Sequence, residues 1–238
     1  MSLATYSIAG YASRLLETFS SRGFVDHDSA TGLFSVGLRA FTVGSSVLRA
    51  RKLDRVALPA MRVLGDVTGL PVNLAVRDGR SAIYIEQIEA PGVVRLSVQP
   101  GVQMPLHATA VGKALAAWLW AEALDEALVS APLSAHTKHT MTQANDILRD
   151  LTHIRERGWA TDDQEYSVGL FYLSAPVYDR SGNVVAAISA STLASLVNAD
   201  NLNGLPERVM DSAWEISAKL GWYKPPSETS HTANDFTD

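Results

Sequence analysis

The segment "TDDQEYSVG", residues 161–169, sets Asp162, Asp163 and Glu165 close together just ahead of an apolar run. Paired carboxylates do acid and base work when both face one site, as in glycoside hydrolysis. On an extended chain neighbours point to opposite sides, so only one of Asp162 and Asp163 can enter a site. Three readings follow for Asp162: a charged turn, a polar contact to a ligand, or a catalytic acid. A second stretch, "AAISAST", alternates. Ser189 and Ser191 share one strand face with Ala187, while Ile188 and Ala190 share the other. Hydroxyls on a face of small residues suit a polar ligand. Neither serine lies in a Gly-x-Ser-x-Gly elbow, so no hydrolase triad is readable.

A third stretch, "LHATAVGKA", residues 106–114, carries a Gly-Lys pair without a phosphate loop. The positions that such a loop gives to Gly and Ser/Thr hold His107 and Ala114. If a helix starts near Thr109 or Ala110, its first backbone N–H groups point out of the helix end and can hold an anion. Ala108, Thr109, Ala110 and Gly112 are small enough to let a ligand reach that backbone. Lys113 opposes the helix dipole there, unless an anion lies nearby or its stem carries the charge outward. The plain alternative is Thr109 as an ordinary N-cap with Lys113 on the surface. His136 and His139 stand three apart without a carboxylate at metal-site spacing, so no metal site and no cofactor is expected. His107 reads as a hydrogen-bonded structural residue.

These groups need elements to hold them. "YASRLLETFSSRGF" spaces Ala12, Leu15, Leu16 and Phe19 as one helical face closed by Gly23, and "FVDHDSATGLFSVG" reads as a small hairpin or wing. "LRAFTVGSSVLRARKL" is a second amphipathic helix. From about residue 54 helices and strands mix. "RVALPAMRVLGDVTG" is helical to Gly69, and "PVNLAVRDGRSAIYIEQIE" is a hairpin through Asp78-Gly79. "VVRLSVQ" adds a strand, and "GKALAAWLWAEALDEAL" reads as one helix. The pattern from Thr140 to Gln143 is a capping box for the helix that ends at Gly158. "LFYLSAPVYD" and "NVVAAISAST" return as strands, and "PERVMDSAWEISAKLG" spaces Val209, Ala213, Ile216 and Leu220 as a docking helix. Hairpins interrupted by helices indicate an α+β domain with an antiparallel sheet.

Composition narrows the function classes. With 238 residues, no cysteine and 47% hydrophobic content, disulfide scaffolds, thiolate enzymes and Cys-ligated zinc fall away. No apolar run approaches the roughly 18 residues of a membrane span, and no signal peptide opens the chain, so a cytoplasmic protein without membrane contact is expected. Residues 1–62 carry 8 Lys+Arg against 4 Asp+Glu and the remainder 12 against 21, a basic first quarter on an acidic body. A small nucleic-acid-facing segment on a larger non-binding domain has that profile, as does a merely solvated helix face.

The motifs occur together as "MPLHATAVGKALAA" and then "DDQEYSVGLFYLSAPVYDRSGNVVAAIS". In this order they resemble the IclR family of bacterial transcriptional regulators over residues 11–222. The resemblance implies a winged helix-turn-helix, a linker helix and a GAF-like effector domain that binds small organic molecules. The chain then divides into a partial winged helix-turn-helix (residues 1–36), a linker helix (37–53), an effector domain (54–222) and a disordered tail (223–238). Family members act as homodimers or dimers of dimers on operator DNA, without catalysis.

By similarity the effector pocket is walled by Val93, Leu96, Met104 and Leu170. Polar contacts come from the backbone of Ala110 and Val111, from Asp162, and from Ser189 and Ser191. Tyr172 stands where most relatives have a cysteine, which predicts a smaller or differently shaped ligand. Residues 10–23 resemble the recognition helix, placing Tyr11, Ser13, Arg14 and Arg22 toward DNA. Ten residues precede "YASRLLETF" where the family has two further helices, so the face of Leu15, Leu16 and Phe19 is expected to be uncovered. The expectation is a ligand-responsive repressor; the alternative is a sensing and oligomerisation module without competent DNA binding. An enzyme using Asp162 or Ser191 is a third and lesser reading.

Overall fold

The computed structural model describes residues 3–51, 53–89, 99–130, 132–197 and 204–223. The chain forms two compact units that meet between Asp54 and Arg55. In the first unit, α1 (Leu3–Ser21) leads through Gly23 into a hairpin of β1 (Val25–His27) and β2 (Phe34–Val36), followed by α2 (Leu38–Arg51). The helix expected to begin at Gly10 starts at Leu3 instead and runs straight through that glycine. A single glycine costs a helix only about 1 kcal/mol, too little to stop it. The hairpin turn is tied by Asp28, whose carboxylate accepts the Ala30 N–H and the Thr31 hydroxyl. Those bonds hold its pKa below the ordinary carboxylate value, the Thr31 hydroxyl most of all. Gly37 must be glycine, because a Cβ there would lie 2.4 Å from the Gly23 carbonyl oxygen.

The second unit is built on a six-stranded antiparallel sheet in the order β5-β4-β3-β8-β7-β6. Its strands are β3 (Val72–Asp78), β4 (Ser81–Ile88), β5 (Gln103–Pro105), β6 (Ala160–Asp163), β7 (Leu170–Tyr178) and β8 (Val184–Leu193). Asp78-Gly79 turns β3 into β4 as expected, with Gly79 at φ 54°. Both faces of the sheet are covered. Helices α4 (Ala110–Ala116) and α6 (Ala144–Arg157) lie on one side, where Val111, Ala114, Leu115, Ile147, Leu151 and Ile154 pack with Ala75, Tyr84, Ala160 and Ala187. Helices α3 (Leu53–Thr68) and α7 (Leu205–Lys219) cover the other, over Val72, Leu74, Leu173, Ala175 and Ile188. Val209, Ala213 and Ile216 are the buried stripe of α7.

Two local expectations fail for physical reasons. The stretch read as one helix after Gly112 breaks into α4, a short α5 (Ala121–Leu124) and a π turn over Asp125–Val129. The break at residues 117–120 brings Trp118 edge-on to Tyr178, with ring centroids 5.9 Å apart. The capping box at α6 does not form. Gln143 precedes the helix with no capping bond, and Thr140 Oγ1 instead accepts the His136 and Thr137 N–H groups and donates to the Glu165 carbonyl. The strand expected at "VVRLSVQ" and the tail from residue 224 lie outside the described residues.

Candidate functional site

Strand register decides which side chains meet. Asp162 pairs with Tyr172, and Tyr172 with Ser191, so the three form one row across β6, β7 and β8. One step along the strands, Ser174 pairs with Ser189 and Ser189 with Asn73. A third row holds Ala187 opposite Ala75, and both pack under α4. Alternation therefore puts all three rows on the α4 face. Asp163 points the other way, into solvent, as the extended reading required. Leu170 shares the Tyr172 face and is half-buried, and Met104 is buried in the cluster under α4. Val93 and Leu96 lie outside the described residues.

Asp162 is 1% exposed. Its Oδ1 accepts the N–H groups of Glu165 (2.7 Å) and Tyr166 (3.2 Å), which pins the turn that follows β6. Burial outweighs those bonds and pushes its pKa up to about 7. Burial also raises the Tyr172 phenol to about 12, with Asp162 and Tyr166 adding to the effect. Tyr84 rises by burial too, with Tyr172 and Asp162 as neighbours. The site is thus a carboxyl that gains or loses its proton near neutrality, ringed by neutral hydroxyls. Such a group donates to a carbonyl or carboxylate when protonated and accepts from a hydroxyl when ionised.

Helix α4 packs on the strands that carry the row, β6, β7 and β8. Thr109 caps it, its Oγ1 accepting the Gly112 N–H at 3.1 Å and donating to the Pro105 carbonyl. The Lys113 N–H goes to the Thr109 carbonyl. The N–H groups of Ala110 and Val111 have no acceptor among the described residues. Gly112 has a different cause from the one expected. A Cβ there would lie 2.5 Å from both Cα and O of Leu106, so the chain itself, not a ligand, makes the close approach. Gly112→Ala is expected to cost about 3 kcal/mol, the upper range for overpacking, and to lower Tm by about 6–12 °C. Calorimetry that found less than about 1 kcal/mol would show that the Leu106 turn can yield.

Lys113 is not a surface lysine. It is 1% exposed, donates to Glu165 Oε1 at 2.6 Å and lies 2.8 Å from Asp150 Oδ2, an ion contact outside hydrogen-bond geometry. The anion that a lysine in this first turn calls for is therefore supplied by the chain. The ion group ties α4, the turn after β6 and α6 together. A cleft of about 330 Å³ opens beside it, lined by Lys113, Asp150 and Glu165 with Arg149, His153 and Arg157 of α6. His107 Nε2 lies 2.9 Å from the Ser134 carbonyl, which fixes that nitrogen as a donor, and burial holds its pKa down.

Sequence reasoning passed over Asn73, Tyr84 and the Lys113–Glu165 pair. A lone Asn inside "PVNLAV" was the available signal, since a buried strand interior has no other reason to carry an amide.

The model of the bacterial transcriptional regulator IclR C-terminal domain matches residues 45–218. The chain belongs to the IclR family. It is 38% identical over 213 residues to the HTH-type transcriptional repressor AllR of Salmonella paratyphi A, covering 90% of this chain and 78% of that protein. The AllR of Escherichia coli K12 gives 38% over 208 residues, 87% and 77%. Among solved structures, the Thermotoga maritima IclR aligns with a TM-score of 0.73 at 28% identity over 90% of this chain and 86% of its own. The C-terminal domain of the E. coli transcriptional regulator KdgR gives 0.66 at 30% identity, over 72% and 99%. At the family level this is a regulator rather than an enzyme, and the α+β fold with its antiparallel sheet is that of its IclR relatives. Among the described residues no helix is long and apolar enough to cross a membrane.

Proposed function

We propose that this IclR-family chain is a ligand-responsive repressor whose second unit senses a small organic carboxylate, aldehyde, lactone or phenolic acid. The observation that carries this reading is the row Asp162–Tyr172–Ser191, buried at both ends, on strands that α4 packs against, together with the N–H groups of Ala110 and Val111 at the start of α4, which have no acceptor among the described residues. A ligand oxygen at the start of α4 meets backbone donors, and its other groups meet the carboxyl and the hydroxyls. Met104 and Leu170 supply apolar wall. Ligand binding changes an oligomer, dimer or dimer of dimers, only as far as it favours one geometry over the other. The repressor would work in the cytoplasm, on operator DNA.

For DNA, the supporting observation is exposure: Tyr11, Ser13, Arg14 and Arg22 all stand open to solvent on or just after α1. The second reading, a sensing module without competent DNA binding, is favoured by the same helix. Leu15 and Phe19 are 51% and 46% exposed on it, and Leu16 is only half-buried.

One experiment in two arms tests both. A thermal-shift screen of the purified chain against small carboxylates, aldehydes, lactones and aromatic acids should find a class that, at about 100 times its Kd, adds roughly 2.7 kcal/mol and about 5–11 °C. Asp162→Ala and Ser191→Ala should abolish the rise. A shift assay on promoter fragments at rising salt should show affinity falling with log salt, the slope shrinking by about 1 for each of Arg14→Ala and Arg22→Ala. Ligand binding without any salt-dependent DNA binding would select the second reading, and no ligand response at all would end the first.

A further inference from the structure

Among the polar side chains on the α4 face, Asn73 stands apart. It is fully buried in the middle of the sheet, and neither its Nδ2 nor its Oδ1 has a hydrogen-bond partner among the described residues. Directly opposite, Ser189 is fully buried as well and its Oγ has no partner among the described residues. The next hydroxyl in that row behaves differently: Ser174 donates to the Ile188 carbonyl of the neighbouring strand and is satisfied within the sheet. Within this row the unmet polar atoms thus belong to one cross-strand pair; the other buried atoms without a hydrogen bond among the described residues, on Asp150, Arg157 and Glu165, belong to the charged group around Lys113. Buried amides carry their full desolvation penalty unless something pairs with them, so a fold that retains one in a strand interior has a use for it.

The pair also lies at a defined distance from the row that holds Asp162. Ser189 and Ser191 are two residues apart on β8 and point to the same side, a separation of about 7 Å. One ligand of four or five carbons reaches from one row to the other. At the Asp162 end it meets a carboxyl, hydroxyls and the first N–H groups of α4. At the Asn73 end it meets an acceptor, a donor pair and a hydroxyl that does both.

We propose that Asn73 and Ser189 form a second polar subsite that reads a carboxamide, so that the effector is a short amidic acid with a carboxylate or carbonyl at one end and an amide at the other. The proposal rests on the effector reading above and extends it. A carboxamide offers its oxygen to Asn73 Nδ2 and its N–H to Asn73 Oδ1, edge to edge, and leaves the Ser189 hydroxyl free to bond either atom. A carboxylate in the same place accepts from Nδ2 but has nothing to donate to Oδ1, and sets two oxygen lone pairs against each other. Discrimination against the diacid comes from that mismatch rather than from size, because amide and carboxylate are nearly isosteric. Sites that leave one buried polar group unmet discriminate far more strongly than sites that only gain or lose a methylene.

The test uses the full chain and matched probes: succinamate against succinate, and glutaramate against glutarate, by calorimetric titration and thermal shift. The expected result is an amide-over-diacid preference of about 10- to 100-fold in Kd for at least one pair. In Asn73→Leu that preference collapses to within about twofold while the melting temperature holds or rises, since an orphaned amide has been removed. Ser189→Ala, a smaller change, weakens amide and diacid together, because its hydroxyl donates to either group, and leaves in place the preference that Asn73 sets. If the diacids bind and Asn73→Leu leaves the amide-to-diacid ratio unchanged, the subsite is overturned and the effector reading stands. If no probe and no member of the wider carboxylate, aldehyde, lactone and aromatic-acid screen binds, both fall together.

Discussion

Lys113→Met is expected to lower stability by about 3–5 kcal/mol, the range for breaking a buried ion group by removing one partner, and to bring Tm down by about 6–20 °C. The ammonium lies 2.6 Å from Glu165 and 2.8 Å from Asp150, and it is buried with the first of them. Taking it away leaves Glu165 without its cation and Asp150 with only the longer contact to Arg157, at 3.9 Å. Burial already holds the Glu165 pKa above the ordinary value, with Lys113 pulling it down. Without the lysine, Glu165 takes up a proton more readily. The loss should therefore be larger at pH 8 than at pH 5, where a protonated Glu165 needs no partner. Urea midpoints at the two pH values measure it. Lys219 provides the contrast. Its bridge to Glu215 is 2.5 Å long but solvent-exposed, so Lys219→Met should cost less than about 0.5 kcal/mol. Equal losses for the two lysines would show that the buried group holds nothing together. The double variant Lys113→Met with Glu165→Gln should recover part of the loss, because each change removes a charge that the other left stranded. The consequence is positional, since the same ion group ties α4 to the turn after β6 and to α6.

Periodicity and turn chemistry make most of the fold legible in the sequence. The Asp78-Gly79 hairpin, the stop at Gly158 and the stripe of Val209, Ala213 and Ile216 are local signals, and local signals survive into the structure. The alternation around Ser189 also put both serines on one face of β8 with Ala187, as the register shows. What could not be read was pairing at a distance. Lys113 and Glu165 are 52 residues apart, and nothing in either segment names the other. Asn73 and Ser189 meet only because β3 and β8 are neighbours in the sheet, an order that strand propensity does not specify. The broken helix after Ala116 and the failed capping box share a cause: in both, a tertiary contact outweighed the local preference. Thr140 had the residue type of a cap but spends its hydroxyl on the Glu165 segment instead. The small residues at 108–112 were read as room for a ligand, yet Gly112 is required by the Leu106 backbone, so at that position small size serves packing.

Asp162→Asn should stabilise the protein at alkaline pH and leave it unchanged near pH 4. The folded-state pKa of Asp162 is raised from 3.8 to about 7. A group shifted upward contributes its stability fully below its unfolded value and loses it as the pH climbs through the folded one. Between about pH 4 and pH 7 the protein therefore gives up as much as about 4 kcal/mol on account of this carboxyl alone. Asparagine cannot ionise, but its Oδ1 can still accept the Glu165 and Tyr166 N–H groups that close the turn. The variant keeps the local structure and escapes the penalty. Subtracting its stability-versus-pH curve from that of the unchanged chain isolates Asp162, because Glu165, raised in the same sense, and His107, lowered and so acting in the opposite sense below about pH 6.5, occur in both. The difference should open from near zero at pH 4 to about 2–4 kcal/mol at pH 8, or about 4–16 °C in Tm. A flat difference curve would place the carboxyl in water and remove it from the buried row. Retaining a carboxyl that destabilises the resting protein at neutral pH makes sense when a ligand group arrives to share its proton. The variant that is more stable alone should also be the one that no longer responds to acids.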